Sequence, residues 1–148
     1  MPDTNINVLY IDDEPVYLIA FRASFRRAYN IFTAGSAMEA MAILKKENIQ
    51  VIISDNRMPD VSGIDFFKSI LDQYKYTVRI LLTAYRDLQD AIDAINSAHV
   101  HKFITKPWDE TEMKTVIMQA YDKYLKDKQE QSNLEILDFF VRQKLLSW

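Results

Sequence analysis

Five short apolar runs, separated by segments of helical periodicity, constrain the fold of this chain more than any other feature. Each run is rich in β-branched or aromatic residues and mostly lacks apolar–polar alternation, which is typical of strands buried on both faces. The runs are residues 8–11, 31–33, 51–53, 78–82 and 102–104. Because parallel strands need crossover connections, this alternation predicts a doubly wound α/β domain of the (βα)5 type with a parallel sheet.

The segments between the runs carry residues that start helices. Proline fits the first helical turn, and Ser or Asp followed three residues later by Glu can cap the free amide groups of a helix N-terminus. The signals are Pro15, Ser36 with Glu39, Asp87 before an apolar series, and Asp109 with Glu112. The apolar residues that follow recur every three or four positions, so each segment is predicted to form an amphipathic helix.

Composition excludes several classes of function. The absence of cysteine excludes disulfides, thiol nucleophiles and Cys-ligated metal centres. The two glycines, Gly35 and Gly63, are too far apart for a phosphate-binding glycine loop. A net charge of -3 offers no positive excess for nucleic acid. No apolar run approaches the roughly 18 residues of a membrane span, so we expect a cytoplasmic protein without direct nucleic-acid or membrane binding.

The C-terminal part of the chain is predicted to leave the compact domain. The fifth helix is expected to run from about Asp109 into residues 121–125, and the polar residues 126–133 then end the domain. This division gives a domain of residues 5–127 and a tail or linker of residues 128–148. The apolar residues of the tail recur at spacings of three and four, which predicts a short amphipathic helix. They are Leu134, Leu137, Val141, Leu145 and Trp148.

Three partners for this tail remain open. It can pack back on the domain, pair with a second copy in a coiled coil, or begin an output domain. Each of these would bury the apolar stripe, which an isolated helix leaves exposed to water.

Polar side chains follow four of the predicted strands. Ligands of open parallel sheets bind at the carboxyl ends of the strands, so these positions are the candidate site. They are Asp12 and Asp13 after the first strand, Asp55 after the third, Thr83 after the fourth and Lys106 after the fifth. Three adjacent carboxylates repel one another unless a cation offsets them, and oxygen ligands without His or Cys suit Mg²⁺ or Mn²⁺.

The summed charge of this group indicates what it can bind. Three carboxylates, one divalent cation and Lys106 sum to zero, which leaves a pocket able to receive a phosphoryl group. A carboxylate in such a pocket can attack phosphorus and form an acyl phosphate. The Thr83 hydroxyl and the Lys106 ammonium would then contact the phosphoryl oxygens.

Four short blocks of sequence resemble the receiver domain of two-component response regulators. They are residues 11–15 (IDDEP), residues 54–63 (SDNRMPDVSG), residues 82–84 (LTA) and residues 103–107 (FITKP). The resemblance covers about residues 5–125. It implies a flavodoxin-like fold with strand order 2-1-3-4-5, here with an extended C-terminal helix. It also implies a signalling domain of a phosphorelay that catalyses only its own phosphorylation and dephosphorylation.

The resemblance also assigns a role to each candidate site residue. Asp55 would be the phosphoacceptor, and Asp12, Asp13 and Asp55 would bind the metal together with the main-chain carbonyl of Arg57. Thr83 and Lys106 would contact the phosphoryl group. Thr83 would also act in a switch with Phe103, an aromatic residue of the fifth strand.

The resemblance further implies partners. The phosphoryl donor would be a sensor histidine kinase or a phosphotransfer protein. The face formed by helix 4, strand 5 and helix 5 would signal, and it or the C-terminal helix would form a homodimer. An output domain or a separate effector protein would receive the signal.

Two other functions compete with this interpretation. One is a small phosphohydrolase of the haloacid dehalogenase type, with Asp12 as nucleophile and Glu14 as the acid two residues later. The other is a receiver fold that dimerises without phosphorylation.

One pair of residues differs from the usual family pattern, and one aromatic residue near the signature blocks has no role in the predicted site. Ser97-Ala98 stands where the family often has Gly-Ala, so the turn before the fifth strand must avoid positive φ or accept strain. Trp108 is expected to be a surface or interface aromatic.

Overall fold

The computed structural model describes residues 5–147, and for residues 90 and 93–95 it describes the backbone alone. Its sheet has the strand order β2-β1-β3-β4-β5, and all pairs are parallel. The strands are β1 Asn7–Ile11, β2 Asn30–Ala34, β3 Val51–Asp55, β4 Val78–Thr83 and β5 Val100–Thr105. The helices are α1 Pro15–Phe25, α2 Ala37–Lys46, α3 Gly63–Ile70, α4 Leu88–Ala98 and α5 Glu110–Leu146, with a 3₁₀ turn at Tyr85–Asp87. The predicted doubly wound fold and its strand order are confirmed.

The sheet separates two hydrophobic cores. Successive residues of a strand point to opposite faces, so Val8 and Tyr10 enter one core while Leu9 and Ile11 enter the other. The first core packs against α1 and α5, and the second packs against α2, α3 and α4. Burial on both faces explains why the strands are continuous apolar runs without alternation.

Helix caps follow the sequence signals. The Ser36 hydroxyl accepts a hydrogen bond from the Glu39 amide at 3.2 Å, and the Asp109 carboxylate accepts one from the Glu112 amide at 2.8 Å. Pro15 occupies the first position of α1. Each capped amide is one of the groups that has no partner within its own helix.

The extended C-terminal helix is confirmed, but α5 corrects the expectation that the fifth helix itself ends in residues 121–125. It continues without interruption for 37 residues to Leu146. The polar stretch contains no glycine or proline, and its side chains pair one turn apart, as in Gln129 with Asn133 at 3.0 Å and Gln131 with Glu135 at 2.8 Å. Gln131 also accepts a hydrogen bond from the Tyr76 hydroxyl at 2.7 Å, which joins this part of α5 to the loop before β4. We call residues 132–146 the α5 extension.

Strand β5 begins two residues earlier than the sequence predicted. The register with β4 shifts because Arg79 pairs with Val100 while Ile80 pairs with Lys102, so His101 is an extra residue in β5. The turn before β5 uses a positive φ of 50° at His99, after the Ser97-Ala98 pair. Histidine is one of the residue types that are enriched in this left-handed region, so the turn forms without glycine.

Candidate functional site

Three carboxylates converge at the carboxyl ends of β1 and β3. Because these two strands are neighbours, Asp12 and Asp13 after β1 lie beside Asp55 at the end of β3. Each contributes an oxygen, and these oxygens all lie within 4.8 Å of one another. Asp12 is fully buried, Asp55 is 8% exposed and Asp13 is exposed.

Lys106 brings a positive charge to this cluster from the end of β5. Its Nζ lies 2.8 Å from Asp12 Oδ2 and 3.5 Å from Asp55 Oδ1. The Lys106 amide donates to the carbonyl of Thr83 at 3.0 Å, so the backbone after β5 is joined to the end of β4. The Lys106–Pro107 peptide bond is cis.

These groups line a cavity of about 330 Å³. Its wall includes Asp13, Asp55, Thr83 and Lys106, and Arg57 and Asp87 stand at its edge. Asp12 lies beneath the wall and accepts hydrogen bonds from the Glu14 amide at 3.0 Å and from Lys106. Asp55 therefore presents its carboxylate to the cavity, whereas the Asp12 carboxylate is enclosed by its partners.

Burial and charge shift the pKa of both groups that face each other here. Burial raises the pKa of Asp55 to about 6; Lys106 opposes the shift, while Asp12 and Asp13 add to it. Burial disfavours the charged form of Lys106, but the hydrogen bond to Asp12 and the attraction of Asp55 raise its pKa above the ordinary value. The site thus holds more negative charge than one ammonium offsets.

The donor set fits a hard divalent cation. The ligand atoms offered by Asp12, Asp13 and Asp55 are all oxygens, and they are close enough to share one ion. A cation there would offset the negative charge of Asp12 and Asp13 and would favour the ionised form of Asp55.

Thr83 and Phe103 occupy different environments. Thr83 is 1% exposed at the end of β4, and its hydroxyl donates to the Ala84 carbonyl at 3.3 Å. The hydroxyl must change partner to reach a group in the cavity. Phe103 on β5 is half-buried and packs against the second core, away from the cavity wall.

Two aromatic residues near the site were not assigned to it from the sequence. Tyr17 lines the cavity, and its ring lies 3.9 Å from Lys106 Nζ. Trp108, expected to be a surface or interface aromatic, is instead half-buried against the first core. Its ring lies 5.7 Å from that of Phe25, and its Nε1 donates to the Tyr10 hydroxyl at 3.3 Å. The sequence offers one indication that these residues lie near the site, which is that Tyr17 follows residues 11–15 and Trp108 follows residues 103–107 closely along the chain.

Comparison with known proteins identifies the domain. A family model described as the response regulator receiver domain matches residues 8–118. The chain belongs to this family. The hydrogenase transcriptional regulatory protein HoxA of Cupriavidus necator is 33% identical over 122 residues, which are 82% of this chain and 25% of that protein. The receiver domain described here therefore spans about a quarter of the length of this curated relative.

Other relatives agree with this assignment. The transcriptional regulatory protein GlrR of Escherichia coli is 32% identical over 80% of this chain and 26% of its own length. Among solved structures, the signal receiver domain of an HD domain-containing protein from Pseudomonas fluorescens matches with a TM-score of 0.80 and 26% identity, covering 87% of this chain and 96% of that one. A chain described as an adenylate cyclase from Rhodopirellula baltica matches with a TM-score of 0.84 and 26% identity, over 89% and 98% of the two chains.

Membership of this family settles the general role of the chain. It is the receiver domain of a two-component response regulator, and a receiver is a signalling domain. In the described part of the chain, no helix is both long and apolar enough to cross a membrane.

Proposed function

We propose that Asp55 accepts a phosphoryl group from a phosphohistidine of a sensor histidine kinase or a phosphotransfer protein. One observation carries the choice of residue. Of the three clustered carboxylates, Asp55 is the one that both faces the cavity and lies near Lys106, at 3.5 Å from Nζ. Among the described residues, Lys106 forms ion pairs with Asp12 and Asp55 but not with Asp13, which faces the cavity, and Asp12 is fully buried.

The chemistry is a phosphoryl transfer between two side chains. A carboxylate oxygen of Asp55 attacks phosphorus and forms the new P–O bond. The P–N bond breaks with its electron pair returning to nitrogen, and the ring, which carries a proton on its other nitrogen, leaves as neutral imidazole. Lys106 contacts one phosphoryl oxygen, and the Thr83 hydroxyl turns from the Ala84 carbonyl to donate to another. Both contacts stabilise charge on the equatorial oxygens.

The metal of this proposal is Mg²⁺ or Mn²⁺. Asp12, Asp13 and Asp55 would hold it, together with the main-chain carbonyl of Arg57. A bound divalent cation supplies positive charge to the phosphoryl oxygens during transfer. It also explains why three carboxylates are kept together at a site that has one lysine.

Phosphorylation would switch the face formed by α4, β5 and α5. A phosphoryl group adds about -1.5 to -2 charge and three acceptor oxygens, which attract the Thr83 hydroxyl. Thr83 ends β4 and bonds through its carbonyl to the strand-5 loop, so its movement reaches β5 and Phe103. A complete reversal of the two populations needs about 5.5 kcal/mol of differential stabilisation.

The predicted division places the compact domain at residues 5–127 and the tail at residues 128–148. The α5 extension belongs to this tail and would carry the signal beyond the domain. At 100° per residue, its apolar side chains fall on two opposite faces of the helix. One face has Leu134, Leu137, Val141 and Leu145, and the other has Ile136, Phe139, Phe140 and Leu146. All eight are between 49% and 81% exposed. The extension therefore does not pack back on its own domain.

Exposed apolar patches of this kind mark protein–protein interaction sites. We assign the homodimer contact to the extension, with a following output domain or an effector protein on its second face. Sedimentation velocity of the full chain and of a Leu137→Glu, Val141→Glu variant tests this assignment. The dimer should dissociate in the variant, and a wild-type chain that is monomeric with and without phosphorylation would contradict it.

Neither competing function is favoured by the family assignment. A phosphohydrolase with Asp12 as nucleophile also conflicts with the full burial of that side chain and its 2.8 Å contact with Lys106. Incubation with p-nitrophenyl phosphate and Mg²⁺ distinguishes the two chemistries. The proposal predicts no turnover that depends on Asp12, whereas sustained hydrolysis abolished by Asp12→Asn would overturn it.

A further inference from the structure

The Lys106 ammonium is enclosed on three sides. Asp12 and Asp55 lie on two of them, at 2.8 Å and 3.5 Å, and the ring of Tyr17 covers the third at 3.9 Å from Nζ to the ring centroid. The Lys106 side chain is only 13% exposed as a result. A cation this close to the face of an aromatic ring is attracted by the negative charge on that face.

Tyr17 is itself held in place by its helix and by the first core. It lies in the first turn of α1, where its amide donates to the Glu14 carbonyl at 3.0 Å. Its half-buried ring packs against the first core and forms part of the cavity wall. The ring is therefore a fixed surface beside a flexible side chain.

The need for such a surface follows from the chemistry of lysine. The ammonium is a compact, strongly hydrated charge on a four-carbon stem that adopts many rotamers. Two carboxylates alone leave the solvent side of the ammonium open. A ring on that side keeps Nζ between Asp12 and Asp55, where a phosphoryl oxygen on Asp55 would meet it.

We propose that Tyr17 is a positioning residue, which holds Lys106 ready for phosphoryl transfer through a cation–π contact. The inference rests on the proposed function, because Lys106 must act on the phosphoryl group for its position to matter. Tyr17 contributes through its ring face and not through its hydroxyl.

A series of substitutions at Tyr17 tests the ring. The measured quantity is the rate of Asp55 phosphorylation by acetyl phosphate with Mg²⁺, followed by intact mass. Tyr17→Leu should slow the reaction by roughly threefold to tenfold, Tyr17→Phe should stay within about twofold of wild type, and Tyr17→Trp should equal or exceed it. Tyr124→Leu is the matched control, since Tyr124 is also a half-buried tyrosine against the first core.

A double-mutant cycle separates positioning from a general structural effect. In a Lys106→Gln background the ammonium is gone, so Tyr17→Leu should cause no further loss of rate. An equal loss in both backgrounds, or equal rates for Tyr17→Leu and Tyr17→Phe, would overturn the inference. Failure of the proposed function is a different result, since the wild-type chain itself would then gain no phosphoryl group.

Discussion

Arg57 and Asp87 form an ion pair across the edge of the cavity. Arg57 Nη2 donates to Asp87 Oδ1 at 2.8 Å, and this contact joins the loop after β3 to the 3₁₀ turn after β4. The two loops follow the strands that carry Asp55 and Thr83. The Arg57 side chain is 64% exposed, so the pair contributes little to stability, but both of its residues line the cavity.

Removing this ion pair should shorten the lifetime of the acyl phosphate. Arg57→Gln and Asp87→Asn each free the two loops and admit water, so we expect dephosphorylation to accelerate by roughly 1.4-fold to fivefold, which corresponds to the 0.2–1 kcal/mol of an exposed pair. Loss of label after removal of acetyl phosphate measures the rate. Arg27→Gln, at an exposed position just after α1 and away from the cavity, is the control. Acceleration by only one of the two substitutions would mean that the pair itself is not responsible.

The raised pKa of Asp55 predicts a pH dependence of stability without metal. In the pH range between its ordinary value of 3.8 and about 6, the folded state binds more protons than the unfolded state. The free energy of unfolding therefore falls as pH rises through this range, by at most about 3 kcal/mol. Asp55→Asn removes this pH dependence, because asparagine does not titrate.

Urea unfolding in EDTA at pH 4 to 8 measures the free energy of unfolding of wild type and of Asp55→Asn. The stability advantage of Asp55→Asn should be small at pH 4 and grow towards pH 7. Asp72→Asn, an exposed position in the loop after α3, should give a curve parallel to wild type. A difference between wild type and Asp55→Asn that is constant with pH would contradict the raised pKa.

Addition of Mg²⁺ should reverse that loss of stability. A ligand at about 100 times its Kd stabilises the folded state by about 2.7 kcal/mol. Thermal unfolding at pH 7.5 with and without Mg²⁺ should show a rise in Tm for wild type and Asp72→Asn. Asp13→Asn removes one of the three clustered carboxylates at an exposed position and should lose most of the rise. A full rise in Asp13→Asn would place the cation elsewhere.

Gly63 should be far less tolerant of a side chain than Gly35. A Cβ at Gly63 would collide with the main-chain carbonyl oxygen of Asp55 and lie 3.1 Å from the Asn56 Cα. A Cβ at Gly35 meets only the end of the Glu39 side chain, at 3.4 Å. Gly63→Ala should therefore lower Tm and slow phosphorylation, because the backbone of Asp55 must shift, while Gly35→Ala should phosphorylate at the wild-type rate. Similar phosphorylation rates for the two variants would contradict this prediction, because they would show that the loop between β3 and α3 accommodates the side chain without a shift of Asp55.

The fold was predictable because a strand that is buried on both faces has a continuous apolar sequence without alternation. The runs at β1, β3 and β4 are almost purely apolar, and the caps at Ser36 and Asp109 are local to their helices. The clustering of Asp12, Asp13 and Asp55 followed from the adjacency of β1 and β3 alone.

Features that depend on packing between distant parts of the chain were not predictable. The continuity of α5 through residues 126–133 results from pairs one turn apart and from the Tyr76–Gln131 contact, which composition does not reveal. The places of Tyr17 and Trp108 depend on how α1 and the loop after β5 approach each other.

The most direct test of the central proposal is the intact mass of the chain after incubation with acetyl phosphate and Mg²⁺. Wild type and Asp55→Asn are compared under identical conditions, with EDTA in place of Mg²⁺ as a second control. We predict that wild type gains one phosphoryl group with Mg²⁺ and that Asp55→Asn gains none. An equal gain in both proteins, or no gain in wild type, would contradict the assignment of Asp55 as the phosphoacceptor.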